Sequence, residues 1–202
     1  MPSPAERVAA ALEAVPRTGF LPPGQRAHAE RDEPLSIGHG QTNSQPTTVR
    51  QTLELLAVSP GDRVLDVGSG SGWTTALLAH LTGPTGEVTG VERVPALVTF
   101  GAANLAPLGM PWARVERSLP GTLGWPARAP YDRILVSAQA AQLPAELVDQ
   151  LAASGVLVIP VAGRMLRVRA DDDGPAVEEH GWYRFVPLVA DPPVESGGAQ
   201  PV

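Results

Sequence analysis

The sequence predicts an α/β fold in which a doubly wound, mostly parallel sheet ends in an antiparallel pair of strands near the C-terminus. Between residues 63 and 161, short apolar runs alternate with segments of helical periodicity, which is the pattern of successive βαβ units. A glycine-rich turn follows the first of these runs. The last run, GVLVIPV at 155–161, is apolar on both faces, as expected of a strand buried inside a parallel sheet.

The first 58 residues are predicted to form two helices joined by a long polar connection. One helix spans 4–15, and four residues form its apolar face: Val8, Ala11, Leu12 and Val15. The second helix spans 46–58. Residues 16–45 show little periodicity and contain several Gly and Pro. A structureless connection of this length is unusual in a compact domain, so it either has a function or contains elements that periodicity does not reveal.

From residue 63 onward, strands and helices are predicted to alternate. The predicted strands are 63–67, 87–92, 113–117, 131–138 and 155–161, and the predicted helices are 73–81, 95–108 and 144–153. The antiparallel pair is predicted over 166–170 and 182–189, around the acidic turn at 171–174. In such a doubly wound sheet, ligands bind at the carboxyl ends of the strands.

Length and composition predict one domain over residues 1–190 and a disordered tail over 191–202, which is rich in Gly, Pro and small polar residues. The net charge is −6 and no basic cluster is present, so we expect no nucleic-acid partner. The sequence contains no cysteine, which excludes disulfides and thiolate chemistry. The four histidines are scattered and no H-x-x-x-H pair exists, so we expect no metal site.

The sequence also predicts where the protein works. Its first ten residues carry an early acid and no long apolar run, unlike a secretory signal. No apolar run approaches the length that crosses a bilayer. We therefore expect a cytoplasmic protein without a membrane partner. Since no coiled-coil heptad or exposed apolar helix is evident, we expect a monomer.

The glycine-rich turn belongs to the run VLDVGSGSG at 64–72. Glycines at 68, 70 and 72 allow the backbone to turn sharply and to approach a ligand closely. Glu92 ends the next predicted strand, where its carboxylate can accept hydrogen bonds from the two hydroxyls of a ribose. The pattern indicates an adenosine-type cofactor. The alternative is a glycine-rich turn that binds nothing.

Two residues favour S-adenosylmethionine (SAM) over a nicotinamide dinucleotide. Trp73 follows Gly72, so the sixth-position glycine of a dinucleotide site is missing. Asp66 precedes the turn and would repel a pyrophosphate, whereas it suits the ammonium of an amino-acid-bearing cofactor. Its alternative role is a strand-end cap. The predicted cofactor-binding residues are Asp66, Gly68, Ser69, Gly70, Gly72, Glu92 and Ser137.

Several blocks in order resemble the protein-L-isoaspartate O-methyltransferase family over residues 15–189. They include VPRTGFLPP (15–23), IGHGQTNSQP (37–46), LELLAVSPGDRVLDVGSGSGW (53–73), GEVTGVER (86–93), GTLGWP (121–126), APYDRILVSA (129–138) and RFVPL (184–188). The resemblance implies a Rossmann-like class I SAM methyltransferase fold. It also implies methyl transfer from SAM to the α-carboxylate of isoaspartyl residues in damaged proteins or peptides, a repair reaction.

By the same resemblance, Ser44 aligns with the family's active-site hydroxyl, which contacts the substrate carboxylate. The alternative is a helix cap, but Pro46 favours Gln45 as the helix boundary and leaves Ser44 outside. His39, Thr42 and Asn43 lie in the same loop and are predicted to bind substrate. The alternatives are a solvated histidine at 39 and residues that only stabilise a turn at 42 and 43. Because a carboxylate is ionised at pH 7, the transfer needs orientation and desolvation rather than a general base.

One departure from the family pattern affects the cofactor. Leu119 and Pro120 stand where relatives usually carry an Asp-Gly pair whose acid approaches the adenine amino group. Two alternatives to the repair enzyme therefore remain: a methyltransferase dedicated to the aspartate of one particular peptide, and a SAM-binding module without turnover.

Overall fold

Seven strands form the main sheet in the computed structural model, which describes residues 2–171 and 174–190. The strands of the chain, in order, are β1 (Leu35–Gly38), β2 (Gln41–Asn43), β3 (Arg63–Val67), β4 (Glu87–Glu92), β5 (Ala113–Arg117), β6 (Tyr131–Val136), β7 (Leu151–Val161), β8 (Arg164–Arg169) and β9 (Ala176–Trp182). The α-helices are α1 (Pro4–Ala14), α2 (Pro46–Leu56), α3 (Trp73–Thr82), α4 (Pro95–Leu105) and α5 (Ala145–Val148).

The order of strands in the main sheet is β5-β4-β3-β6-β7-β8-β9. The first five of these are parallel to one another, whereas β8 and β9 are antiparallel to their neighbours. The strand order reverses at β3, which has β4 on one side and β6 on the other. The predicted doubly wound α/β fold is therefore confirmed, and its topological switch point lies at the carboxyl end of β3.

Apolar burial accounts for the helices that flank the sheet. In α1, Val8 and Ala11 are buried, and Ser3 closes the helix start with a capping box to Glu6. Helix α3 is apolar all round and eight of its ten residues are buried, because it lies between the sheet and the N-terminal helices. Helix α4 buries Leu97, Gly101 and Leu105 at a spacing of four residues.

The predicted long loop at 16–45 contains regular structure after all. It forms two 3-10 helices, Arg17–Phe20 and Pro23–His28, followed by the hairpin of β1 and β2. Each of these elements has six residues or fewer, so none is long enough to produce a readable apolar period.

The predicted helix over 144–153 is wrong in its second half. The helix α5 has four residues, and the segment from Leu151 onward belongs to β7, where Leu151 pairs with Tyr131 of β6. Two alanines in this segment favour a helix locally, but pairing with the buried strand overrides that preference.

The predicted second strand of the antiparallel pair is also wrong in its position. The partner of β8 is Ala176–Trp182, not 182–189. This partner is the outermost strand and is largely exposed, so its sequence AVEEHGW lacks an apolar signal. Helix α4 ends three residues before the predicted bound, since Pro107 does not continue it. The expected tail at 191–202 and residues 172–173 of the acidic turn lie outside the described residues.

Among the described residues, none of the helices combines the length and the apolar character that crossing a bilayer requires. The same residues contain no group of three or more His, Cys, Asp or Glu side chains placed to hold a metal ion.

Candidate active site

Two adjoining cavities lie at the switch point, beyond the carboxyl ends of β3, β4 and β6. The larger cavity is lined by Glu92, and the smaller one by Ser44. Four residues line both cavities: Thr42, Gly68, Gly70 and Ser137. A ligand of the larger cavity and a ligand of the smaller one would therefore meet at the glycine-rich turn.

The glycine-rich turn is held on the sheet by its own backbone. The N–H groups of Gly68 and Ser69 both donate to the carbonyl of Val91, at 2.9 and 3.2 Å. Gly72 has φ +84°, and a Cβ there would lie 3.1 Å from the carbonyl oxygen of Gly101 in α4. The turn consequently packs directly on α4, which only glycine permits at this position.

Glu92 faces the larger cavity with both carboxylate oxygens already anchored. Its Oε2 accepts from the N–H of Gly70 at 3.0 Å, and its Oε1 accepts from the N–H of Val94 at 2.8 Å. The side chain is buried, yet each oxygen keeps a free lone pair. The carboxylate is thus oriented for the pair of ribose hydroxyls that the sequence predicts as its ligands.

Asp66 lies behind the turn rather than in either cavity. Its Oδ2 accepts from the hydroxyls of Thr74 and Thr75 at 2.8 and 2.7 Å, and its Oδ1 has no partner. Burial of the carboxyl raises its pKa to about 6. Thr74, which donates to Asp66, lines the smaller cavity. Asp66 is therefore connected to this cavity through the hydroxyl of Thr74, and its direct contact with the methionine end of the cofactor remains a prediction.

Hydroxyl groups dominate the smaller cavity, which no ionisable side chain among the described residues lines. Ser44 is half-buried and lies directly outside α2, where Gln45 is the N-cap. The hydroxyl of Ser69 is buried without a hydrogen-bond partner. Ser137 is tied to β3 through its N–H, which donates to the carbonyl of Val67 at 2.8 Å. The structure therefore brings these three predicted residues together.

Asn43 is placed at the same cavity but its amide is already engaged. Its Oδ1 accepts from Nε of Arg17 at 2.7 Å, and its Nδ2 donates to Oγ of Ser71 at 3.0 Å. Thr42 is exposed at the junction of the two cavities. Substrate binding by Thr42 and Asn43 remains a prediction.

His39 is not brought to the site. It lies at the exposed tip of the β1–β2 hairpin, with φ +54° between Gly38 and Gly40, and it lines neither cavity. Its predicted role in substrate binding has no support from this placement.

Two features of the site are absent from the sequence-based prediction. The first is Arg17, whose side chain is buried and fixes the loop that carries Ser44. The second is Ser118, which follows β5 and presents a buried, unpartnered hydroxyl to the larger cavity. Leu119 is 43% exposed and Pro120 is exposed, and neither lines a cavity. A single buried serine or arginine gives no pattern that would have identified either residue.

The wall opposite the hairpin completes the larger cavity. Residues 186–190 line the larger cavity, and main-chain bonds hold them against the end of β6. The N–H of Gln139 donates to the carbonyl of Val186, and the N–H of Leu188 donates to the carbonyl of Gln139, each at 2.7 Å. The cavity is thus enclosed between the hairpin and this segment.

The cavities fit a cofactor with a nucleoside at one end and an amino acid at the other. The lining of each cavity includes one residue with a buried hydroxyl that has no partner, Ser118 in the larger and Ser69 in the smaller. Such groups cost free energy unless a ligand or water satisfies them. The glycine turn between them brings the backbone close to whatever spans the two cavities.

This sheet order, with its glycine turn and its antiparallel extension, is that of a class I methyltransferase. A solved structure described as a protein-L-isoaspartate O-methyltransferase has the same fold, with a TM-score of 0.82 and 24% identity over 93% of this chain and 62% of that chain. A Plasmodium falciparum structure, described as a putative protein-L-isoaspartate O-methyltransferase in complex with S-adenosyl-L-homocysteine, gives a TM-score of 0.80 at 26% identity, covering 92% and 91% of the two chains.

The sequence comparisons specify the family within that class. The family model described as protein-L-isoaspartate(D-aspartate) O-methyltransferase matches residues 3–192, and the chain belongs to this family. The Rhodopseudomonas palustris protein-L-isoaspartate O-methyltransferase 1 is 45% identical over 91% of this chain and 76% of its own length. The Anaeromyxobacter dehalogenans protein-L-isoaspartate O-methyltransferase is 47% identical over 93% and 91%.

Proposed function

We propose that this protein is a SAM-dependent methyltransferase that esterifies the α-carboxylate of L-isoaspartyl residues in damaged proteins and peptides, the first step of their repair. The observation that carries this proposal is the meeting of two cavities at one glycine turn. One cavity contains the anchored carboxylate of Glu92 and the other contains the hydroxyl of Ser44. Membership of the family supplies the reaction class.

Glu92 is assigned to the ribose of the cofactor because its two oxygens face the larger cavity in a fixed orientation. Gly68, Gly70 and Ser69 then border the amino-acid end, and Gly72 keeps the turn packed on α4. When bound, SAM supplies an electrophilic methyl group on a sulfonium. The chain contributes the surface that orients this group and excludes water.

Ser44 is assigned to the substrate carboxylate, to which its O–H donates a hydrogen bond. The α-carboxylate of a peptide is ionised at neutral pH, so it is already nucleophilic and no proton must be removed. The smaller cavity agrees with this chemistry, since no acid or base of the described residues lines it. Catalysis then depends on how accurately Ser44, Ser137 and the turn place the two reactants.

We also propose that the enzyme works as a cytoplasmic monomer. The described residues that line both cavities run from the β1–β2 hairpin to the segment at 186–190 of one chain. A core built without cysteine needs no oxidising compartment. Light scattering coupled to size exclusion tests the oligomeric state, and fractionation of cells that produce the protein tests its location.

The decisive experiment measures transfer of labelled methyl from SAM to an isoaspartyl peptide and to its normal-aspartyl twin. We expect label on the isoaspartyl peptide alone. Ser44→Ala is expected to lower the rate about 10- to 150-fold, which corresponds to one lost hydrogen bond to a charged group, about 1.5–3 kcal/mol. Ser36→Ala is the matched control, because Ser36 carries an exposed hydroxyl on the β1–β2 hairpin that precedes Ser44, and it lines neither cavity.

Each other outcome points to one of the alternatives. Transfer to the normal-aspartyl peptide would indicate a dedicated aspartyl methyltransferase. Binding of S-adenosylhomocysteine without transfer to either peptide would indicate a binding module. Equal rates for Ser44→Ala and Ser36→Ala would remove Ser44 from the active site.

A further inference from the structure

We propose that Asn43 is a positioning residue, whose side-chain amide couples the cofactor-binding turn to the loop that carries Ser44. The inference rests on the proposed function and extends it, because it assigns the coordination of the two halves of the site to one hydrogen-bonded chain. That chain runs from Arg17 through Asn43 and Ser71 to Asn104 in α4.

The first link fixes the substrate side of the site. The guanidinium of Arg17 has five N–H groups, and all five are used. They donate to Oδ1 and the carbonyl of Asn43 and to the carbonyls of Ala29, Arg31 and Glu33, at distances of 2.7–3.3 Å. Both ends of the segment from Ala29 to Asn43 are therefore tied to one rigid planar group.

The second link joins that segment to the cofactor turn. The Nδ2 of Asn43 donates to Oγ of Ser71 at 3.0 Å, and both side chains are buried. The carbonyl of Ser71 in turn accepts from Nδ2 of Asn104 at 2.9 Å. Since Ser71 lies between Gly70 and Gly72, any movement of the turn displaces the acceptor on which Asn43 depends.

The link affects the active site because Asn43 lies between two residues that line the cavities. Its neighbours in sequence are Thr42, which borders both cavities, and Ser44, which faces the smaller one. The amide is oriented by Arg17 on one side and Ser71 on the other, so the backbone of Asn43 has little freedom. Ordering of the turn by the cofactor consequently fixes the hydroxyl of Ser44 for the substrate.

A double-mutant cycle on Asn43→Ala and Ser71→Ala tests the coupling. Initial rates with an isoaspartyl peptide are measured at saturating SAM, at a temperature at which every variant is fully folded. Binding of S-adenosylhomocysteine is measured by calorimetry. We expect each single variant to lower kcat by 10-fold or more, with less than a threefold change in the Kd for S-adenosylhomocysteine. The double variant is expected to be no slower than the slower single variant, since either change alone breaks the same bond.

Thr82→Val is the matched control. It removes a buried hydroxyl that bonds only within the C-terminal turn of α3, remote from both cavities. Its kcat is expected to equal that of the unmodified protein even if its Tm falls. Multiplicative losses in the double variant, or an unchanged kcat in Ser71→Ala, would overturn the inference.

A second measurement does not depend on methyl transfer. Hydrogen exchange of the amides at 41–45 is followed with and without S-adenosylhomocysteine. We expect the ligand to slow this exchange in the unmodified protein and to leave it unchanged in Ser71→Ala. If the ligand protects the loop equally in both proteins, the coupling does not exist. If the unmodified protein transfers no methyl group, the proposed function is contradicted but the coupling is not, because hydrogen exchange measures the coupling without methyl transfer.

Discussion

The sheet with its flanking helices and the segment at 16–45 are held in place by different forces. In the sheet and its helices, fully buried apolar residues such as Leu77 of α3, Ile134 and Leu157 carry the structure, and the stabilisation is divided among many contacts. The segment at 16–45 has a much smaller apolar cluster, and one buried cation joins its parts through five hydrogen bonds. The comparison teaches that the part of the chain that places Ser44 depends on one cation and a small apolar cluster, whereas the part that carries the cofactor turn depends on a large apolar core.

The largest effect is expected from Arg17→Met, which retains the aliphatic stem but leaves five acceptors without a donor, three of them in fully buried hydrogen bonds. We expect the free energy of unfolding to fall by about 3–5 kcal/mol, as measured by urea denaturation. Arg26→Met is the matched control in the same segment, because Arg26 donates a single bond, to the carbonyl of Leu21. Its cost is expected to be below about 1 kcal/mol.

Leu77→Ala tests the same comparison in the sheet with its flanking helices. Leu77 is buried in α3, in the core beside the sheet, and loss of such a side chain costs about 2–5 kcal/mol, similar to the loss in Arg17→Met. We expect kcat per folded molecule to be unchanged in Leu77→Ala and strongly reduced in Arg17→Met. Equal kcat in the two variants would show that Arg17 does not place the active-site loop any more than the apolar core does.

A smaller effect is expected from Asp66, whose carboxyl is fully buried in β3. Desolvation raises its pKa in the folded protein to about 6, whereas the unfolded value is about 3.9. Between these two pH values the folded state binds more protons, so this group lowers stability as pH rises, by about 2–3 kcal/mol in total.

Asp66→Asn removes that dependence because an amide does not ionise. The difference in unfolding free energy between the variant and the unmodified protein should therefore grow from pH 4 to pH 6.5 in favour of the variant. Urea denaturation at several pH values measures it. A pH-independent difference would mean that the carboxyl titrates normally despite its burial.

The smallest effect is expected from Ser118→Ala, at the border of the larger cavity. The sheet sets the backbone there, since the N–H of Ser118 donates to the carbonyl of Glu92 at 3.0 Å, and only the hydroxyl is left for the ligand. We expect the affinity for S-adenosylhomocysteine to fall by about 0.5–1.5 kcal/mol, or about 2- to 12-fold, in calorimetry. Unchanged affinity would show that the hydroxyl does not contact the cofactor; Ser36→Ala serves as the control.

The contrast between the two regions also explains what the sequence predicts well. The bounds of β3, β4 and β5 were predicted to the residue. The strands β3 and β4 are buried and adjoin the glycine turn, which produces a strong local pattern, whereas β5 is an edge strand with one buried residue. The residues that line the cavities next to that turn, Glu92, Ser137 and the glycines, follow from the same pattern.

The failures have a common physical cause. Arg17 and Ser118 matter only through partners distant in sequence, and the first half of β7 is a strand only because β6 lies beside it. No window of neighbouring residues contains that information. His39 is the reverse case, because its predicted role rests on its place in the loop, whereas the hairpin holds it at an exposed tip.

The segment at 186–190 is joined to Gln139 through main-chain atoms alone, by the pair of bonds to Val186 and Leu188. These bonds place no requirement on the side chains of Val186, Pro187 and Val189, whereas Leu188 also packs against the apolar cluster on one face of the sheet. Substitution of the other side chains would therefore change the lining of the larger cavity without changing how this wall is attached. The site thus combines a wall whose lining can be exchanged with a turn whose sequence is restricted by its packing on α4.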